Sequence, residues 1–335
     1  MFNAKKTSLT AGITTNMTIT AKVIAHSTHP GCPDIITMEL SYNRFIHAEF
    51  MTHREFSRNA SSSRAIPAAR QLQMILDDTA KPEVWGSNKP GMQAGAELTG
   101  MKLWAAKKLW GMAARINVGL ARAMNRLGVH KQIVNRICEP YAHIKVVVTS
   151  TNWSNFLALR DHPDAQPEIA ILARAIRSAL EAPHEILKLT QYGWHLPYVT
   201  DADFQLINNY ILHVNEHGGS TVTDTPLTIA LRISVARCAR VSYFVFGDSN
   251  MLPTVESDLA LYFKLVGGYP LHASPAEHQA SPIPPLFQKA NGGVDVTGNL
   301  RGWKQYRKTL IGESVLDPEQ WKQDKFTNFA HNPAE

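Results

Sequence analysis

The densest run of reactive side chains is Thr52-His53-Arg54-Glu55-Phe56-Ser57-Arg58-Asn59-Ala60-Ser61-Ser62-Ser63-Arg64. Guanidinium forks and serine hydroxyls, together with free backbone N–H groups, are what a phosphate or the carbonyl edge of a pyrimidine requires. His53 adds an imidazole beside them. A solvated, serine-rich turn has the same composition, so this run alone leaves binding site and surface loop both open.

Three further segments carry polar groups in suggestive order. Arg136-Ile137-Cys138-Glu139-Pro140 is followed by Asn155-Phe156-Leu157-Ala158-Leu159-Arg160 and then by Ala165-Gln166-Pro167-Glu168-Ile169. Much later come Ala239-Arg240-Val241-Ser242-Tyr243 and His272-Ala273-Ser274-Pro275-Ala276-Glu277-His278. Taken singly, Asn155 reads as a helix cap, Arg160 as a solvated charge and the last segment as a proline-rich loop with solvated histidines. Loops tied to a rigid scaffold are also where function concentrates.

As an ordered set these segments resemble the flavin-dependent thymidylate synthases. That family carries Arg-His-Arg, seven residues of any type, Ser, and an Arg two positions on. His53, Arg54, Ser62 and Arg64 stand at those spacings, and Ser57 and Asn59 match family-typical positions between them. Thr52, Ala60 and Ala65 depart from the usual Arg, Glu and Tyr. Arg136 to Pro140 resembles the family's Ala-Arg-x-x-Leu-Pro segment, and Asn155 to Ile169 its Asn-Phe-Leu-x-Leu-Arg and Ala-Gln-x-Glu-Ile run. The two late segments resemble Ala-Arg-Val-Ser-Phe and His-x-Thr-Pro-Phe-Glu-His, which in most members precede the Arg-His-Arg motif. A circularly permuted order accounts for their position here.

The resemblance implies an α/β fold of mixed sheet and long helices, and reductive methylation of deoxyuridylate at C5. Methylenetetrahydrofolate would supply the carbon, FAD the redox chemistry and NADPH the reducing equivalents. It implies that His53 and Arg54 hold the flavin pyrophosphate or ring edge. Ser62, Ser63, Arg64 and Arg136 would hold the nucleotide phosphate, and Arg160, as the catalytic group, would sit against the base and favour ionisation at N3. Asn155, His272, Ser274 and Glu277 would contact flavin, with Ser242 nearby. Thr149 and Thr151 stand where the family has an Asn and an Arg on the flavin. Glu49 replaces a Gln that contacts the nucleotide. A carboxylate there would accept from the amino group of a cytosine nucleotide, or pair with an arginine in the site. Hydroxymethylation, or a non-catalytic flavin- or nucleotide-binding role, are rival outcomes of the same resemblance. None of Cys32, Cys138 and Cys238 lies in the Pro-Cys-His context of the cysteine-dependent thymidylate synthases. Members of the family are homotetramers, so an oligomer is expected.

These groups need elements to carry them. Ile35 to Tyr42 alternates as a strand with Ile36, Met38 and Leu40 on one face. Asn43 would cap a helix through Phe45, Ile46, Glu49, Phe50 and His53, delivering His53 at its end. The polar run 57–64 should break regular structure, and Pro67 suits the first turn of a second helix. Lys81 to Met92 reads as an ordered loop. From Gly95 to Leu127, Leu98, Met101, Leu103, Leu109, Met112, Ile116, Leu120 and Met124 recur at helical spacing. Val146 to Thr151 is a short β-branched segment; Asp201 to Val214 and Leu227 to Arg240 read as helices. Residues 267–293 form a long loop. Gly298 to Lys308 is either an amphipathic basic helix packed by Trp303 and Tyr306, or a source of Arg301 or Arg307 for a phosphate or folate tail. A weak interruption at 216–225 separates 34–216 from 226–335. With 1–33 as a lead-in, a single interwoven domain is expected.

Bulk properties set the class. At 335 residues, 44% apolar and 19% charged, the chain suits a soluble enzyme with a sizeable core. No segment has the roughly 18 to 20 apolar residues of a membrane helix, and residues 1–20 lack a secretory signal. Three scattered cysteines predict neither disulfides nor a zinc site, so a cytoplasmic protein without metal is expected. A formal charge of +6 favours an anionic partner. The basic residues form no long run, which argues for a nucleotide and folate rather than stable nucleic-acid binding.

Overall fold

The computed structural model describes residues 19–217, 223–241, 253–266, 271–283 and 296–313. Its centre is a five-stranded mixed sheet in the order β3-β4-β2-β1-β5. The strands are β1 Thr20–Thr28, β2 Ile35–Asn43, β3 Ser57–Ala60, β4 His143–Ser150 and β5 Leu187–Lys188. All neighbours are antiparallel except β1 and β5. The expected strand over 35–42 is present, and Ile36, Met38 and Leu40 all face the core.

Both faces of the sheet are covered. On one, Met38, Leu40, Tyr42, Val146 and Val148 pack with Ile169, Leu172 and Ile176 of the helix Pro167–Glu181. The aromatic rings of Phe50, Phe56, Trp153 and Phe156 complete that layer. On the other, Ile35 meets Ala280, Leu300 and Trp303, while Val147 meets Cys238 and Val241.

The helices are α1 His47–Phe50, α2 Ala68–Asp77, α3 Gly100–Arg126, α4 Lys131–Val134, α5 Ser154–Arg160, α6 Pro167–Glu181, α7 Asp201–His217, α8 Pro226–Arg240 and α9 Val255–Val266. Helix α8 begins with the Thr-Pro signature: the Thr225 hydroxyl accepts from the Thr228 N–H at 3.2 Å, and Pro226 follows without a donor to lose. It is buried along most of its length. Arg237 is tolerated there because it pairs with Asp203 at 2.7 Å and Asp258 at 2.9 Å.

Four expectations are corrected. The helix after Asn43 is a 3-10 turn, Arg44–Ile46, followed by the single turn α1, so His53 lies beyond it. Asn43 caps nothing with its side chain, which instead donates to the Lys81 carbonyl at 2.9 Å. Residues 57–60 form a strand rather than a break, because edge pairing with β4 uses backbone groups and is indifferent to side-chain polarity. Gly298 to Lys308 is not a basic helix: Trp303–Gln305 forms β7 against β6 Ala280–Pro282, with Trp303 fully buried.

Candidate active site

The edge strand β3 and the turn after it wall a cavity of about 410 Å³. Asn59, Ser62, Arg64 and Ala65 form one side; Ala239, Leu265, His272, Ser274 and Pro275 form the other. His130 and Gln132, at the start of α4, close a third side. Asn59 ties the walls together. Its Nδ2 donates to the Cys238 carbonyl at 2.8 Å, and its Oδ1 accepts from the Ser274 hydroxyl at 3.4 Å. Among the described residues, no acidic side chain lines the cavity. Its polar lining is amide, hydroxyl, imidazole and guanidinium, a donor-rich set suited to phosphate and carbonyl oxygens. The volume falls in the range of small-ligand sites, about 300–1,000 Å³.

A second, smaller cleft of about 30 Å³ lies among His53, Arg54, Glu55, Phe56, Asn152, Asn155 and Phe156. The Arg160 Nε donates to Nε2 of His53 at 3.0 Å, which leaves the ring proton on Nδ1. Burial, with the Arg160 and Arg58 charges beside it, pushes the His53 imidazole down to about 4. Its ring packs edge-on against Phe156 at 4.8 Å. Arg160 also faces Glu49 at 4.0 Å. Asn152 donates to Glu55 at 2.7 Å, and Glu55 pairs with Arg301.

The backbone that presents His53 is clamped by Arg58. Its Nη1 reaches the carbonyls of Met51 at 2.8 Å, His53 at 3.0 Å and Phe50 at 3.4 Å. These carbonyls lie at and just beyond the end of α1, where helix geometry leaves acceptors in need of partners; those of Phe50 and His53 also accept from the N–H groups of His53 and Phe56, at 3.3 and 3.4 Å. Arg58, His130 and Gln132 were not singled out in sequence. Arg58 stood in the polar run, but its donation to carbonyls a few residues earlier is visible only once the chain turns back.

The remaining sequence-predicted residues are dispersed. The Ser63 hydroxyl donates to Glu139 at 2.6 Å and is 6% exposed, so it braces the turn from beneath. Arg136 is exposed and lies outside the cavity lining. Thr149 has no exposed surface: its hydroxyl meets Thr37 at 2.6 Å and Nδ1 of His278 at 2.9 Å. Thr37 reaches His195 at 2.8 Å, and His195 reaches Ser27 at 2.9 Å. Thr149 therefore belongs to a buried polar chain through the sheet rather than to a ligand-facing surface. The Thr151 hydroxyl accepts from the Arg301 N–H at 3.2 Å. The Glu277 carboxylate is held by Arg307, so the expected free arginine at that position is spent on an ion pair. Arg301 is likewise paired, with Glu55. Ser242 lies outside the described residues. Among them, no three potential metal ligands cluster, and no helix is long and apolar enough to cross a membrane.

No protein-family model matches the chain, and no curated protein matches it. Among solved structures it is similar to the UMP/dUMP methylase PolB from Streptomyces cacaoi bound with 5-Br UMP, at 15% identity and a TM-score of 0.42, over 49% of this chain and 88% of that one. It is also similar to the flavin-dependent thymidylate synthase ThyX from Helicobacter pylori complexed with FAD and dUMP, at 21% identity and a TM-score of 0.30, over 44% of this chain and 67% of that one.

Proposed function

We propose that this chain is a flavin-dependent enzyme that reductively methylates deoxyuridylate at C5. The observation that carries the reading is the meeting of Ser62 and Arg64 with His272 and Ser274 at one donor-lined cavity, from segments far apart in sequence. Those are the two groups of residues that the family resemblance assigns to nucleotide and flavin. The Ala239 and His272 segments then follow the His53 motif in a permuted order.

On this reading Ser62 and Arg64 bind the nucleotide phosphate. His53, Arg54, Asn155, His272 and Ser274 would hold FAD, with Thr151 nearby; the neutral and cationic donors that line the larger cavity fit its phosphates and ring carbonyls. When bound, FAD supplies the hydride chemistry, NADPH reduces it, and methylenetetrahydrofolate provides the carbon. Arg160 stabilises the pyrimidine deprotonated at N3, since a neighbouring guanidinium favours the anionic ring. Neutral His53 keeps the Arg160 side chain in place without opposing its charge. Glu49 facing Arg160 supports a uracil substrate: its carboxylate is engaged by a guanidinium rather than set aside for a cytosine amino group.

The test is the absorbance spectrum of the purified protein, followed by turnover. A flavin spectrum that bleaches with NADPH and responds to deoxyuridylate, with a product heavier by one methyl group, is the expected result. A colourless protein that takes up no FAD would overturn the reading. Turnover of deoxycytidylate alone would move it to cytosine, and a hydroxymethyl product would change the final step.

A further inference from the structure

Helix α7 ends in the run His213-Val214-Asn215-Glu216-His217. His213 and His217 stand four positions apart, so they lie one above the other on the same side of the helix. Their rings are neighbours, with centres 5.0 Å apart and planes 27° from parallel. Both residues are exposed, and the core around Ile207 draws on Phe204, Tyr210 and Ile211 from this helix instead. Packing of that core accounts for neither imidazole.

The bonding of His217 prepares its ring for a metal ion. Its Nδ1 lies 3.3 Å from the His213 carbonyl, one turn back. A carbonyl only accepts, so the proton of the neutral ring is on Nδ1 and the lone pair of Nε2 is free. Histidines that ligate metals almost always donate their other ring N–H in this way, to a carbonyl or a carboxylate. Glu216 adds a carboxylate 3.9 Å from the same Nδ1.

The separation of the rings suits a chelate. With metal–nitrogen bonds of about 2.0–2.1 Å, an ion held by both Nε2 atoms lies about 3.2 Å from each ring centre. Centres 5.0 Å apart then subtend about 100° at the ion, between the angles of octahedral and tetrahedral sites. On the surface each ring can turn about χ2, a broad torsion in histidine, to face it.

We propose that His213 and His217 form a surface site for a late first-row divalent ion, Ni²⁺, Cu²⁺ or Zn²⁺, with water in the remaining positions. Imidazole suits these ions, whereas Mg²⁺ and Ca²⁺ take oxygen ligands. Among the described residues no group of three potential ligands forms, so the site is open and its ion exchangeable, unlike the closed four-ligand sites that hold folds together. It shares no residue with either cleft and does not depend on the reading of the cavity.

Isothermal titration of the full chain, carrying no histidine tag, with NiCl₂ at pH 7.5 tests the site beside H213Q and H217Q. The expected result is binding that either substitution weakens at least tenfold, with little further loss in H213Q/H217Q, because a chelate is lost with its first arm. Mg²⁺ should not compete. A wild type that binds no Ni²⁺, or an affinity that either variant leaves unchanged, overturns the proposal. NMR of the unaltered protein gives a reading that no substitution can disturb: Zn²⁺ should shift the Cε1 protons of His213 and His217 together. Shifts confined to other histidines place the ion elsewhere and overturn the assignment.

Discussion

Arg160 donates to His53 through Nε at 3.0 Å, joining the end of α5 to the loop after α1 across 107 positions of sequence. The bond requires an imidazole that accepts, and therefore a neutral one. Burial first, then the Arg160 and Arg58 charges, hold the ring at about 4, well below the usual 6.5. Arg160→Leu removes one of those charges, so the His53 titration should move upward. Its Cε1 proton, followed by NMR from pH 3.5 to 8, reports this directly. A His53 that titrates near 6.5 in the unaltered protein would show that the pair is not formed in solution.

Arg58 makes a second prediction, because one nitrogen serves the carbonyls of Phe50, Met51 and His53. Arg58→Met keeps the aliphatic stem and removes the donors. Removing the donor from Met51, and the second donor from Phe50 and His53, costs on the order of 1–3 kcal/mol, expressed as local disorder of residues 51–56. Amide exchange there should quicken by about tenfold or more, and FAD affinity should fall with it. Unchanged exchange in that loop would remove Arg58 from any positioning role.

How much of this was readable in the sequence depended on what holds each part. β2 was legible because Ile36, Met38 and Leu40 repeat with the period of a strand buried on that face. β3 was not: Ser57 to Ala60 has no apolar alternation, and its pairing to Val146–Thr149 comes from backbone groups far away in sequence. The helical period expected from Gly95 holds over Gly100–Arg126, while Leu98 lies before the helix and bonds to Trp85; the apolar stripe of the helix is exposed, because periodicity reports amphipathicity and not which surface meets the core. At the site, Arg64 and His272 could be named from their types and spacing, whereas their meeting depended on Asn59 bridging to Cys238 and Ser274. The burial of Thr149 was invisible because its partners, Thr37 and His278, lie more than 100 positions away.

That buried chain predicts acid sensitivity. Burial lowers His195 and His278 to about 3, with further lowering of His195 by its histidine neighbours. Between pH 6.5 and 3 such a ring takes up its proton in the unfolded chain and not in the folded one. The stability it contributes is complete above 6.5 and is lost as pH falls through that window. Each pKa unit corresponds to about 1.4 kcal/mol. Urea unfolding at pH 7.5, 6, 5 and 4.5 should show a steady fall, and His278→Gln should flatten its slope. A stability that is level from 7.5 to 4.5 would contradict the burial of both rings. Thr149→Val gives a companion check: it should cost about 1–3 kcal/mol by leaving Nδ1 of His278 without its partner and Thr37 with His195 alone.

Arg64 separates phosphate recognition from base recognition. It lines the cavity with Ser62, whose Oγ accepts from the Arg64 N–H at 3.3 Å, so the turn itself presents the guanidinium. A charge-assisted contact to phosphate is worth about 1.5–3 kcal/mol, or roughly a 10- to 100-fold change in affinity. Titrating Arg64→Ala with deoxyuridylate should show that loss, and raising salt should weaken the unaltered protein toward the same value. Deoxyuridine, which has no phosphate, should bind both proteins equally. If Arg64→Ala weakens nucleoside and nucleotide alike, the guanidinium acts on the base or the fold, and the phosphate must be held by another group.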